Sequence, residues 1–283
     1  MGRIGIVCDS TCDLGPEWLA ENDVVMVPLK VTFGDDTYLE WTDLRPDDFY
    51  DMLGSATALP KTSQPSPADF GAVYRDLADQ GCTGIVSIHL SEALSGTIES
   101  ARMAAKMAPI PVRVVNTRIV SAGEALALSA ALDARAAGAD LDGVERAAQR
   151  VVHDCKFLFA LDTLDYLVKG GRAGKAQGLA ASMLNIKPVL TFNSDGIIEP
   201  FKKLKGSKKA YAEIASQVAL ASADGPVALA ILHSRAPELA DELLAAIDEA
   251  GARYELVHTV TVGAVIGTYA GPSAVGAAYY RLP

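Results

Sequence analysis

The chain has 283 residues and a net charge of −10, with 50% of residues hydrophobic and 6% aromatic. That length can bury a large core and favours two domains, and the apolar content excludes a disordered chain. The acidic balance argues against a nucleic-acid binder, which needs a basic surface to release phosphate counterions. Cys8, Cys12, Cys82 and Cys155 form neither a C-x-x-C pair nor a disulfide framework. The N-terminus runs straight into a strand pattern, and the longest Ala/Leu-rich stretch, 122–139, is broken by Glu124, Asp133 and Arg135. A reducing, cytoplasmic location without a membrane span is expected.

In chain order, residues 4–7 read as a short apolar strand ending in Asp9-Ser10-Thr11, and Pro16-Glu17-Trp18 opens a helix. Residues from about 30 to 60 are polar and aromatic around a Gly34-Asp35-Asp36 turn and predict a small β-hairpin excursion. Ser66-Pro67-Ala68-Asp69 predicts a helix start with Ser66 as its cap. A strand at 84–89, a helix at 98–105, a strand at 112–115 and a helix at 122–137 continue a βαβ rhythm. That rhythm implies a mainly parallel, doubly wound sheet. The second half opens with a strand at 157–161 and a capped helix at 162–167, followed by strands at 189–192, 227–232 and 256–260. Asn193-Ser194-Asp195-Gly196 reads as a hairpin turn into a strand at 197–201, so the second sheet is partly antiparallel. The fold class is therefore α/β. A mainly parallel domain over 1–155 carries the small β insertion, an α+β domain covers 156–283, and a ligand cleft lies between them.

Two hydroxyl-rich segments carry the functional signal. Thr62-Ser63-Gln64-Pro65-Ser66-Pro67 is followed by Ser95-Gly96-Thr97, which sits between the strand at 84–89 and the next helix. In α/β proteins that junction binds small anionic groups, because strand ends meet unpaired N–H groups of a helix N-terminus. The cluster suggests a receptor for a carboxylate or phosphate more than a catalytic triad. Asp9 is expected to cap the following helix or fix the neighbouring hydroxyl loop. His89, His153, His233 and His258 lack metal-ligand spacing, so no metal site is expected. A hydrolase using Ser10 or Ser95 would lack a G-x-S-x-G elbow and a histidine placed by sequence. A binding module for another small anion is the further alternative. The one basic run, 202–209, is a solvated strand-and-turn face, or else a docking patch for an acidic partner or an anionic bilayer.

Six marks occur in order: Asp9-Ser10 with Asp13-Leu14, Thr62-Ser63-Gln64-Pro65-Ser66, Ser95-Gly96-Thr97, Gly170-Gly171-Arg172, Leu184-Asn185-Ile186-Lys187-Pro188, and Gly267-Thr268-Tyr269-Ala270-Gly271-Pro272. With them the whole chain resembles the DegV family, bacterial lipid-binding proteins that include the fatty-acid-carrying subunits of fatty acid kinase. The resemblance implies a carrier with no catalytic residues and no cofactor, loaded with a long-chain fatty acid such as palmitate or oleate. Thr62 and Ser95 would hold the carboxylate at the domain junction, with Ser63, Gly96, Thr97 and Tyr269 beside them. Arg172 would face the head group or a kinase's phosphate, and the acyl chain would enter the second domain. A separate fatty acid kinase would phosphorylate the presented carboxylate, and loading would involve transient contact with a membrane surface. The family tail usually reads Gly-Thr-His with a Gly-Pro-Gly turn after it; here Tyr269 replaces the histidine and Ser273 the last glycine. A phenol can donate a hydrogen bond but cannot become a cation near neutral pH.

Overall fold

The computed structural model describes residues 2–182 and 187–282; Leu184, Asn185 and Ile186 of the fifth mark lie outside them. The chain begins with β1 (Arg3–Asp9), α1 (Gly15–Glu21) and β2 (Val24–Val27), then leaves the first sheet for β3 (Lys30–Phe33), β4 (Asp36–Leu39), α2 (Pro46–Ser55) and β5 (Lys61–Ser63). It returns through α3 (Pro67–Asp79), β6 (Cys82–His89), α4 (Thr97–Ala105), β7 (Val112–Asn116), α5 (Ala122–Ala136) and α6 (Leu141–Asp154). Strands β2-β1-β6-β7 form an all-parallel sheet in that order. Alternation along β1 shows both faces covered, as a doubly wound sheet requires. Ile4, Ile6 and Cys8 join Leu126 and Leu128 of α5, whereas Val7 joins Phe70 and Tyr74 of α3.

The excursion is larger than a hairpin. It is a three-stranded antiparallel sheet, β4-β3-β5, so the hydroxyl segment starts inside it, on the edge strand β5. An edge strand needs no apolar alternation, which is why Lys61-Thr62-Ser63 gave no strand pattern. Just beyond, Ser66 caps α3 through a capping box: Asp69 N–H donates to Ser66 Oγ at 3.2 Å, and Ser66 N–H to Asp69 Oδ2 at 2.8 Å. Ser66→Ala is expected to cost about 1 kcal/mol, read as a lower urea midpoint.

The second half contains β8 (Lys156–Ala160), α7 (Asp165–Lys169), β9 (Lys187–Phe192), β10 (Ile198–Leu204), α8 (Ser207–Ala221), β11 (Val227–His233), α9 (Pro237–Glu249), β12 (Tyr254–Thr261), α10 (Ala264–Ala270) and β13 (Val275–Arg281). Its six-stranded sheet runs β10-β9-β8-β13-β11-β12, antiparallel except between β11 and β12. The hairpin turn is where expected, and Asn193 Oδ1 accepts from the N–H groups of Asp195 and Ile197. The helix after β8 starts later than the sequence suggests. Asp162 pairs with Lys187 Nζ at 2.6 Å instead of capping, and Thr163 Oγ1 accepts from Asp165 N–H. The basic run spans the end of β10 and the first turn of α8, where Lys202 pairs with Glu213 and Lys203, Lys205, Lys208 and Lys209 are exposed.

The two faces of this sheet have different neighbours. Leu158 and Ala160 pack with Ile214 of α8 and Leu243 of α9, while Phe157, Phe159 and Leu190 join the core that holds α5. The Ala-rich α5 therefore lies between the two sheets, its Leu126, Ala127, Leu128 and Ala131 all buried. Small side chains let both sheets approach it closely, and one apolar core runs through both halves.

Candidate functional site

A cavity of about 340 Å³ lies where β5, the loop after β6 and α10 meet the inner face of the six-stranded sheet. Its wall is mainly apolar, with Leu90, Leu94 and Val120 from the first half and Phe157, Phe159 and Leu232 from the second. Thr62, Ser63, Gln64, Ser95, Arg172 and Tyr269 supply the polar part. Three of them, Thr62, Tyr269 and Arg172, form one connected patch beside Ser95. Thr62 Oγ1 and Tyr269 OH are 2.5 Å apart, the Arg172 guanidinium lies 5.0 Å from the centre of the Tyr269 ring, and Arg172 Nε donates to the carbonyl of Leu94, the residue before Ser95.

Each member is positioned from a distance. Tyr269 rides on α10, whose N-terminal N–H groups are held by carboxyls from the first half: Gly263 N–H donates to Asp13 Oδ1 at 2.9 Å and Val265 N–H to Glu40 Oε1 at 2.6 Å. Tyr50 OH adds a bond to the carbonyl of Val262. Burial pushes the Asp13 carboxyl up to about 7, and burial together with the nearby Asp13 charge pushes Glu40 well above its ordinary range. Gly170 leaves room for the Tyr269 ring, since a Cβ there would overlap it. Arg172 follows α7 in the Gly-Gly-Arg turn; its Nη1 donates to the carbonyl of Gly170 at 3.0 Å, and the guanidinium has further N–H groups to offer. Arg172 therefore caps the end of α7 and lines the cavity at once.

Two expected contacts do not reach the cavity. Thr97 is fully buried in the first turn of α4 with its hydroxyl 2.9 Å from Ser95 Oγ, and Gly96 lies against the Gln64 side chain with no space for a Cβ. Both stand behind Ser95 and Gln64 and fix their positions, because α4 turns its first residues inward. Gln64 and the rings Phe157, Phe159 and Phe192 line the cavity without having been expected there. The unbroken apolar run of β8 from Phe157 to Ala160 hid which face its phenylalanines use.

Beneath the loop that carries Ser95 runs a buried hydrogen-bond chain. Tyr74 OH lies 2.8 Å from Ser87 Oγ, Ser87 Oγ lies 2.7 Å from His89 Nε2, and His89 Nδ1 lies 3.1 Å from Asp9 Oδ2. The order matches a serine–histidine–aspartate triad. Its place does not, for Ser87, His89 and Asp9 are all fully buried and none lines the cavity. The chain instead ties strand ends together: Asp9 caps the turn at Thr11 and also accepts from Leu90 N–H, the first residue of the Ser95 loop. The two serines considered as nucleophiles are otherwise engaged, Ser10 Oγ accepting from Leu29 N–H and Ser95 Oγ sharing a proton with Thr97. Among the described residues, no group of three or more His, Cys, Asp and Glu side chains is arranged to hold a metal ion, and no helix is long and apolar enough to cross a membrane.

Fold and site together define an α/β protein with two large sheets and a small third one, and an apolar cavity with a polar head. The chain belongs to the DegV family: the family model described as "Uncharacterised protein, DegV family" matches residues 3–282. A DegV domain-containing protein of Streptomyces coelicolor is 36% identical over 274 residues, covering 97% of each chain. Among solved structures, one described as showing fatty acid binding of a DegV family protein from Thermus thermophilus superposes with a TM-score of 0.93 at 33% identity, covering 99% of this chain and 100% of that one. DegV of Bacillus subtilis, described as a fatty acid binding protein, matches with a TM-score of 0.88 at 28% identity over 100% of both chains.

Proposed function

We propose that this protein binds a long-chain fatty acid at the junction of its two sheets and presents the head group to a partner kinase for acyl-phosphate formation. The carboxylate lies against Thr62, Ser95, Arg172 and Tyr269, and the acyl chain follows the aliphatic and aromatic wall. The observation that carries this reading is the union, in one cavity, of an apolar wall with a single connected patch of hydroxyls and a guanidinium. About fourteen buried methylenes at roughly 0.8 kcal/mol each give a gross driving force of about 11 kcal/mol, before ordering costs. The hydroxyls and the arginine then orient the head group. A small phosphorylated metabolite would leave the aromatic wall unused, which disfavours the other anion-binding reading. The solved relatives described as fatty acid binding support the choice of ligand. The kinase rests on the family resemblance, and the exposed lysines 203, 205, 208 and 209 are proposed to meet it or an anionic membrane during loading.

Native mass spectrometry of the purified protein, with extraction and identification of released lipid, tests the ligand. Palmitate or oleate is expected to co-purify or to bind when added, and Arg172→Gln and Thr62→Ala should each weaken binding about tenfold or more through lost bonds to a charged group. A protein that refuses both acids would overturn the reading.

A further inference from the structure

We propose that the ring pair Phe157–Phe192 is a partition that sets the chain length the cavity accepts, and that the surface groove behind it receives the methyl end of longer chains once the partition yields. This rests on the fatty-acid reading above. The groove, about 640 Å³ in volume, opens between the β9–β10 hairpin and the C-terminal part of α8. Phe157 and Phe192 line the cavity and the groove alike, so the wall there is one layer of rings. The two rings meet edge to face at 5.2 Å, and Phe159 stacks on Phe192 at 5.7 Å from the cavity side. Phe157 is only 4% exposed, but Phe192 is half-buried.

The outer surface is suited to a hydrocarbon. Leu220, 70% exposed, and Phe201, 42% exposed, both line the groove. Phe201 stands at a register shift of β10, between Pro200 and Lys202, where the extra residue re-aims its side chain out of the ladder. An acyl tail passing the partition would cover both side chains and remove apolar surface from water. The lining also includes Arg118, His153, Asp154, Lys156, Asn193 and Gln217, so a tail would lie along Leu220 and Phe201 and leave these polar groups wet.

The test uses the full chain freed of lipid and a fluorescent fatty acid displaced by myristate, palmitate, stearate, arachidate and behenate in turn. Wild-type affinity is expected to rise by roughly fourfold per added methylene until the cavity is full, then to fall. Phe192→Ala should move the maximum to longer acids, raising behenate relative to palmitate by about tenfold or more, and Leu220→Asp in that background should reverse the gain while leaving palmitate unchanged. Phe192→Leu, which keeps most of the packing, should give a smaller shift in the same direction and serves if the alanine variant fails to fold. Folded Phe192 variants that bind palmitate with the wild-type length profile would overturn the partition alone. A wild-type protein that binds no acid of any length would overturn the fatty-acid reading, and the partition with it.

Discussion

Asp9→Ala is expected to lower stability by about 3–5 kcal/mol, the largest effect of any single polar substitution considered. The two carboxyl oxygens of Asp9 serve the N–H and hydroxyl of Thr11, the Leu90 N–H and His89 Nδ1, all within 2.6–3.1 Å. Asp9 and His89 are fully buried, so water cannot take over when the acceptor is removed. Urea unfolding should show the loss as a lower midpoint, and Asp9→Asn, which keeps the shape and part of the acceptor capacity, should lose less. Because Leu90 opens the loop that carries Ser95, fatty-acid affinity should fall along with stability. A change below about 1 kcal/mol would contradict the central place given to this side chain.

Stability should also fall as pH rises from about 6.5 through 7 and beyond, opposite to the behaviour of a protein held together by carboxylate ion pairs. Burial pushes Asp13 up to about 7, and Glu40 and Glu124 well above the ordinary carboxylate range. In the unfolded chain these groups titrate near 4. Below that value both states are protonated, and the contribution is fully present. Above it the folded protein keeps protons the unfolded chain has released, and each group gives up about 1.4 kcal/mol per pH unit until its folded value is passed. For Asp13 that amounts to about 4 kcal/mol across the window, an order-of-magnitude figure. The exposed Glu17, held low by Arg45, acts in the opposite direction only in acid, while burial pushes His258 down to about 4 and also lowers His233, so these two oppose the trend below the ordinary histidine value of about 6.5 and leave the buried acids to set the slope above it. Glu40→Gln keeps an acceptor for Val265 N–H and removes one titration, so it should flatten the profile and stabilise the protein near pH 8. Unfolding midpoints measured near pH 5.5, 7 and 8.5 for both proteins check this; a flat wild-type profile would contradict it.

Strands with strong apolar runs, such as β1, β6, β8 and β11, were legible in the sequence because burial on both faces demands Val, Ile, Leu and Phe. The central strand β13 was not. Its Val-Gly-Ala-Ala start is poor in β-forming residues, yet it lies between β8 and β11, where a Cβ at Gly276 would overlap the β8 backbone. Close approach selected small residues over strand formers. The site divided in the same way. Thr62 and Ser95 stood out as hydroxyls at loop positions, but the 2.5 Å contact between Thr62 and Tyr269 joins residues 207 apart, and no local spacing encodes it. Thr97 looked equivalent to Ser95 until the turn of α4 put it behind the surface. Asp13 belonged to a family mark that gave it no role and Glu40 to none; their role exists only because α10 returns to the first half.

Because α5 is clasped by both sheets, swinging the halves apart about the turn after α6 would strip this helix of one of its two partners. Such a clamshell motion would expose the buried side chains on one face of the helix at a cost of roughly 1.5–3 kcal/mol for each leucine. On the fatty-acid reading proposed above, ligand exchange would be a matter of small pieces yielding around a rigid frame, with a helix end, a loop or a ring stepping aside while the two large sheets keep their distance.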